Sequence, residues 1–89
     1  MRESKLEKDI CKEAKADGWF VRKVQWVNRK NACDRLFIKD GRHVWIEFKA
    51  PGEPARKSQE REHQRMIDAG AEVYVCDNYR DARRILCLM

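Results

Sequence analysis

Hydrophobic and polar positions along the chain switch between two periods, and the switches divide it into seven predicted elements. Leu6, Ile10 and Ala14 recur at helical spacing, whereas the aromatic and β-branched run WFVRKVQWV is typical of a strand. Asp40-Gly41 is a strong signal for a hairpin turn between two further apolar runs. In chain order we predict a helix over 4–17, strands over 19–27, 33–39 and 43–49, a helix over 55–69, a strand over 72–76 and a helix over 79–87.

The order αβββαβα indicates an α/β fold in which helices flank a central sheet. The hairpin shows why both sides of that sheet need covering. Its strand residues are apolar on both faces, as in a sheet sandwiched between helices. On one face lie Leu36, Ile38 and Trp45, and on the other lie Phe37, Val44, Ile46 and Phe48.

The turn also fixes which residues of the hairpin face each other. With Asp40 and Gly41 as the turn residues, Asp34 lies directly opposite Glu47, with Cβ atoms roughly 5 Å apart. Lys49 shares the face of Glu47, because side chains alternate along a strand. Two facing carboxylates need a cation, so we weigh two hypotheses: a divalent metal held by carboxylate oxygens, or a structural salt bridge Asp34–Lys49–Glu47.

Two residues of the predicted helices point towards the same sheet. Glu7 falls within the apolar arc of the first helix, although Ser4-Lys-Leu-Glu7 also matches a capping box that opens the helix. In the helix over 55–69, Gln59 and His63 share the arc that faces the sheet, whereas Gln64 points away. A buried amide such as Gln59 needs a partner, and a backbone carbonyl is the simplest one.

Composition narrows the functional class. A chain of 89 residues is expected to form a single domain, and its net charge of +5 with a pI near 9.2 favours a polyanion such as nucleic acid, or simply solubility. No run is long enough to span a bilayer, and the polar N-terminus MRESKLEKD lacks a signal-peptide core, so we expect no membrane partner and a cytoplasmic location.

The four cysteines form no C-x-x-C pair, and neither His43 nor His63 is near a cysteine in the sequence. We therefore expect reduced thiols in a core and no zinc site.

An acid on the first helix, Asp34, the triplet Glu47-x-Lys49 and Gln59 on the next helix together resemble the VRR-NUC family of the PD-(D/E)XK nuclease superfamily. The resemblance is to its minimal stand-alone phage form and covers essentially the whole chain, and it implies that the cytoplasm is that of a bacterial or phage-infected host cell. It is carried most specifically by IEFKAPGEPARKSQ and by MIDAGAEVYVC. The chain departs from the family's usual residues at Asn31, which stands for a glycine, and at Ala55-Arg56, which stand for a Leu-Ser pair.

The resemblance implies a restriction-endonuclease-like fold with a mixed sheet, and a Mg²⁺- or Mn²⁺-dependent endodeoxyribonuclease without a small-molecule cofactor. It implies that Asp34, Glu47 and the Phe48 carbonyl bind metal, and that Glu7 holds a metal-associated water or a second metal. Lys49 would position or deprotonate the attacking water or neutralise the phosphate. Gln59 would orient Lys49 or the water.

A nuclease also needs contacts to the DNA backbone. The expected substrate is branched DNA such as Holliday junctions or flaps, and cutting both strands of a junction needs two active sites. We therefore expect a homodimer, with Trp19, Trp26 or Phe20 in an apolar interface unless the core takes them. The alternative function is a small basic DNA-binding or adaptor module whose acidic cluster is only a salt bridge. The candidate DNA-binding residues, each also explicable as an ordinary surface charge, are Arg22, Lys23, Arg29, Lys30, Arg56 and Lys57.

Overall fold

A computed structural model describes residues 3–29 and 31–88 of the chain. The predicted order αβββαβα is confirmed. The elements are α1 (Glu3–Ala16), β1 (Phe20–Lys23), β2 (Arg35–Lys39), β3 (Arg42–Phe48), α2 (Lys57–Asp68), β4 (Glu72–Cys76) and α3 (Tyr79–Ile85).

The four strands form one mixed sheet in the order β1-β2-β3-β4. β2 pairs antiparallel with both β1 and β3, and β4 runs parallel to β3. Parallel neighbours need a crossover connection, and α2 supplies it between β3 and β4. The mixed sheet flanked by helices agrees with the α/β, restriction-endonuclease-like fold class expected from the sequence.

The hairpin register is the one expected from its turn. Lys39 pairs with Arg42, and the ladder extends back to the pair Arg35 and Ile46. The two turn residues, Asp40 and Gly41, both adopt positive φ, at 50° and 84°, as a tight hairpin turn of this type requires. Their sequence therefore determines the alignment of every residue further along the two strands.

The hydrophobic core lies on one face of the sheet, beneath α1 and α3. Alternate residues of the hairpin point into it because strand side chains alternate. The helices cover them with small and branched side chains. The buried residues include Phe37, Val44, Ile46 and Phe48 from the strands, and Leu6, Ile10, Ala14, Ala82 and Leu86 from or beside the helices.

Two details at the start of the chain differ from expectation. The helix α1 already includes Glu3, so Ser4 lies inside it and the predicted capping box is wrong. The strand predicted over 19–27 is shorter, because the chain leaves the sheet after Lys23. Trp26 instead packs its ring against Trp45 at 5.4 Å and donates a hydrogen bond of 2.8 Å to the Cys33 carbonyl.

Of the helices in the described part of the chain, none has the length and hydropathy needed to cross a bilayer.

Candidate functional site

Glu47 sits between Ile46 and Phe48, whose side chains are buried in the core, so its own side chain points to the opposite face of the sheet. The side chain is only 17% exposed. Burial raises the pKa of its carboxyl to about 7; the charge of Lys49 opposes this rise, and those of Asp34, Glu3 and Glu7 reinforce it. The ionised form of this carboxyl is therefore disfavoured unless a cation lies beside it.

Asp34 comes immediately before β2. Its backbone carbonyl accepts a hydrogen bond of 2.7 Å from the Val24 amide, which fixes the chain just ahead of the ladder. When the hairpin register is continued by one residue beyond the pair Arg35 and Ile46, Asp34 lies opposite Glu47. The negative charge of Asp34 raises the pKa of both Glu47 and Cys33, so its carboxylate lies near both groups.

Lys49 follows β3 and is held in place by its backbone. Its amide donates a hydrogen bond of 2.8 Å to the Cys76 carbonyl, which continues the pairing with β4 by one residue. The side chain is buried, at 8% exposure, and its charge lowers the pKa of Glu47 and of His63. Among residues 3–29 and 31–88, no carboxylate forms an ion pair with it, so the structural salt bridge Asp34–Lys49–Glu47 is not made.

Gln59 lies on the first turn of α2 with its side chain 5% exposed, as the arc of this helix predicts. Its Oε1 accepts a hydrogen bond of 3.0 Å from the Arg56 amide. The partner is thus a backbone N–H at the helix start, and the backbone carbonyl suggested from sequence was the wrong partner. The amide NH₂ group has no hydrogen-bond partner among the described residues and lies on the face of α2 that meets the sheet.

Glu7 projects from α1 and is only partly buried. Its carboxylate accepts hydrogen bonds from two nitrogens of Arg35, of which Nε lies 2.9 Å away. Arg35 begins β2, next to Asp34, so Glu7 lies near the same end of the sheet, and its charge raises the pKa of Glu47. The structure therefore places Glu7 near the carboxylates but in an ion pair with Arg35, in which two guanidinium nitrogens donate to Oε2.

His63 and Cys33 complete the surroundings of Glu47, and neither was predicted from the sequence to belong to the site. His63 Nε2 lies 3.9 Å from Glu47 Oε1 and 3.5 Å from Cys33 Sγ. His63 and Cys33 are far apart in the sequence, but α2 folds back over the sheet and brings these residues, 30 apart in the chain, into contact. The one available signal was that His63 shares the inward-facing arc of Gln59.

Comparison with known proteins supports the resemblance. A solved structure of a VRR_NUC domain superposes with a TM-score of 0.84 at 27% identity, covering 94% of this chain and 92% of that one. A curated relative, "Putative nuclease p44" of Acyrthosiphon pisum secondary endosymbiont phage 1, is 34% identical over 79 residues, which are 88% of this chain and 85% of the relative. The chain belongs to the VRR-NUC family. No protein-family profile matches it.

For a VRR-NUC protein, the donor set at the end of β3 fits a hard divalent cation. Asp34 and Glu47 offer carboxylate oxygens from opposite strands, and the half-buried Glu47 carboxylate has no ammonium or guanidinium group within ion-pair distance among the described residues. Oxygen ligands of this kind suit Mg²⁺ or Mn²⁺.

The basic residues proposed to contact DNA fall into three groups in this VRR-NUC fold: those on open surface, those that contact other side chains, and one outside the described residues. Arg56 and Lys57 are exposed at the start of α2, and Lys23 lines a cleft of about 470 Å³ beside α1. Arg22 and Arg29 are engaged: the first lies 3.9 Å above the Phe20 ring and the second pairs with Glu62 at 2.6 Å. Lys30 lies outside the described residues.

The cleft beside Lys23 is lined by further cationic side chains, which were not predicted from the sequence to contact DNA. Lys8, Lys12 and Lys15 line it from α1, together with Arg35. Their i, i+4, i+7 spacing places the three lysines on one helix face, and that spacing was visible in the sequence.

Proposed function

We propose that this VRR-NUC protein is a metal-dependent endodeoxyribonuclease whose active site is formed by Asp34, Glu47 and Lys49. The observation that carries the proposal is the state of Glu47: a half-buried carboxylate, opposite a second carboxylate, with its pKa raised to about 7. Such a group costs free energy in the absence of a cation and recovers it when one binds. A solvated salt bridge would not require this burial.

The carboxylate donor set supports an assignment of metal ligands. Asp34 and Glu47 would hold Mg²⁺ or Mn²⁺ through carboxylate oxygens, the Phe48 carbonyl would be a third donor, and Glu7 would act through a water. A bound cation of this kind supplies a nucleophile at neutral pH and relieves charge on the phosphate. Glu7 takes part while remaining bonded to Arg35, which orients its carboxylate.

Two further side chains act on the reacting groups. Lys49 carries a positive charge into a buried position beside Glu47, where it positions the attacking water and stabilises charge that develops on the phosphate. Gln59 uses its amide NH₂ group to orient Lys49 or the water, because its Oε1 is already occupied by the Arg56 amide.

The surface around the site supports contact with the DNA backbone. Lys23 and the α1 lysines Lys8, Lys12 and Lys15 line one cleft, and Arg56 and Lys57 begin the helix that carries Gln59. Contacts of this kind bind phosphate without reading bases, so selection by DNA shape follows, and affinity falls with salt. We include branched DNA, such as Holliday junctions or flaps, as the substrate class.

Cleavage of both strands at a junction requires two copies of the site, so the proposal includes a homodimer. The strand β1 lies at the edge of the sheet and exposes 47% of Phe20, and Trp26 is also partly exposed. Trp19 is excluded from the interface because it is buried against Phe37.

Light scattering at the concentration used for cleavage should report a dimer, and a strict monomer there would remove the two-site mechanism.

The deciding experiment incubates the protein with linear, flap and four-way DNA in the presence of Mg²⁺, Mn²⁺ or EDTA. We expect cleavage with either metal, none in EDTA, and none in Glu47→Gln or Asp34→Asn. Glu60→Gln, which alters an exposed acid on α2, is the matched control and should cleave normally. Cleavage that survives EDTA or Glu47→Gln would refute this site, and DNA binding without any cleavage would favour the adaptor function.

A further inference from the structure

Three potential metal ligands of different chemistry meet between the sheet and α2. Cys33 comes just before β2, Glu47 lies in β3 and His63 lies in α2, so three separate segments contribute. One ligand atom from each lies within 4.8 Å of both others. Cys33 is fully buried and His63 is 5% exposed. Two neutral polar side chains are thus buried against a carboxylate.

The Cys33–His63 distance matches one edge of a zinc coordination tetrahedron, and the distances to Glu47 are somewhat longer than the other edges. Zinc bonds of about 2.3 Å to sulfur and about 2.1 Å to nitrogen or oxygen place tetrahedral ligand atoms about 3.4–3.6 Å apart. Here Cys33 Sγ and His63 Nε2 are 3.5 Å apart, and His63 Nε2 and Glu47 Oε1 are 3.9 Å apart. A small movement of the Glu47 side chain closes the second edge, and a water can take the fourth position, as in three-ligand zinc sites.

The donor chemistry separates this site from the magnesium site proposed above. A thiolate and an imidazole are poor ligands for Mg²⁺ and good ones for zinc and its neighbours in the first transition series. We propose that Cys33, Glu47 and His63 form a binding site for a borderline-soft divalent cation such as Zn²⁺. On binding, the Cys33 thiol forms a sulfur–metal bond and releases its proton to solvent, while neutral His63 donates the lone pair of Nε2.

The two sites share Glu47. A cation held by Cys33 and His63 draws the Glu47 carboxylate towards α2 and away from the position opposite Asp34. The second site is therefore inhibitory: zinc at this position suppresses Mg²⁺-dependent cleavage. This consequence rests on the proposed nuclease function, whereas the binding site itself does not.

Cobalt(II) provides the test of binding, because thiolate coordination gives it a charge-transfer absorption band in the near ultraviolet. The experiment uses the full chain with Cys87→Ala, which removes the exposed cysteine. We expect one cobalt per chain with this band, displacement by one equivalent of Zn²⁺, and no displacement by excess Mg²⁺. Cys33→Ala should abolish the band, and His63→Gln should weaken cobalt binding by about tenfold or more.

Cys76→Ala is the matched control, since Cys76 is as deeply buried as Cys33 but lies outside the cluster, and it should keep the band. Circular dichroism checks that each variant is folded. If the wild-type band is absent, or if Cys33→Ala retains it, Cys33 and His63 share only a thiol–imidazole hydrogen bond and the proposal is overturned.

A second arm tests the inhibition by comparing each protein with itself. The ratio of Mg²⁺-dependent cleavage with and without one equivalent of Zn²⁺ should fall at least tenfold for wild type and stay near one for Cys33→Ala. Equal inhibition of both proteins would overturn the regulatory role. If the chain cleaves no DNA at all, the proposed function fails while the cobalt result still decides the metal site.

Discussion

The two faces of β3 differ in almost every physical respect. Val44, Ile46 and Phe48 face α1 and α3 and are fully or nearly fully buried among apolar side chains. Trp45, Glu47 and Lys49 face the other way, where α2 contributes Gln59 and His63. One strand therefore supplies both a dry core and a polar site, and the stable face fixes the position of the reactive one.

The two faces of β3 also differ in how they contribute to the free energy of folding. Burying apolar area on the first face stabilises the fold by roughly 25 cal/mol per Å². Burying Glu47 on the second face raises the pKa of its carboxyl, which means that the ionised form destabilises the folded state. The face of β3 that meets α2 therefore contributes less to stability than the core face, as expected if it serves the proposed binding site, and substitutions on the two faces test this difference.

The largest effect on stability should come from the core face. Phe37→Ala removes a fully buried ring that packs against Trp19 and Phe48, and should lower the free energy of unfolding by ~3–5 kcal/mol. Leu36→Ala is the matched control on the other face of β2, where the side chain is only partly buried, and should cost less than half as much. Urea denaturation measures both, and equal losses would contradict the comparison.

On the polar face the largest effect should be on activity. Lys49→Ala should lower the cleavage rate by about 10²–10³-fold, as loss of one stabilising group at a developing charge does. Metal affinity measured by calorimetry should be retained, since Lys49 is not a proposed ligand. Arg80→Ala, which removes an exposed cation on α3, is the control and should cleave normally. Lost metal affinity in Lys49→Ala would make Lys49 structural.

Local chemistry made the hairpin predictable from sequence. Asp40-Gly41 adopts the turn that its residues favour, and the alignment of Asp34 with Glu47 follows by counting along the strands. The inward arc of Gln59 is local too, because it depends only on helical periodicity. The order of the elements and the hairpin register could be predicted from the sequence for this reason.

Contacts that depend on how the helices pack against the sheet could not be predicted from the sequence. The meeting of Cys33 with His63 requires the crossover geometry of α2, and the pairing of Glu7 with Arg35 requires the position of α1. The cap at Ser4 failed because a sequence match to a capping box does not fix where a helix begins.

A smaller effect should appear in the pH dependence of stability. The carboxyl of Glu47 has a pKa of about 7 in the folded chain against an ordinary 4.5, so the folded state holds its proton more tightly. Its contribution to stability is therefore present at low pH and is lost as the pH rises from about 4.5 through about 7. Glu47→Gln should be more stable than wild type at pH 8 by ~1–3 kcal/mol and nearly equal to it at pH 4.

Urea denaturation of both proteins without metal, at the two pH values, measures this difference directly. Glu60→Gln serves as the control for losing an exposed carboxylate and should change stability little at either pH. A Glu47→Gln variant that is less stable than wild type at pH 8 would show that the ionised carboxylate is already satisfied by the protein.

The smallest effect on stability concerns Gln59, which is polar yet lies on the buried side of α2. Its Oε1 accepts a hydrogen bond from the Arg56 amide at the start of its own helix. Gln59→Ala should therefore lower the free energy of unfolding by only ~0.5–1 kcal/mol, as for a lost helix cap. Gln64→Ala is the matched control: it removes an exposed bond to Asp68 and should cost ~0.2–0.5 kcal/mol. Thermal denaturation separates the two, while cleavage should fall only in Gln59→Ala, where the free amide donor is lost. A loss above ~2 kcal/mol for Gln59→Ala would instead mean that this amide holds α2 to the sheet, and the polar face would then contribute to stability as the core face does.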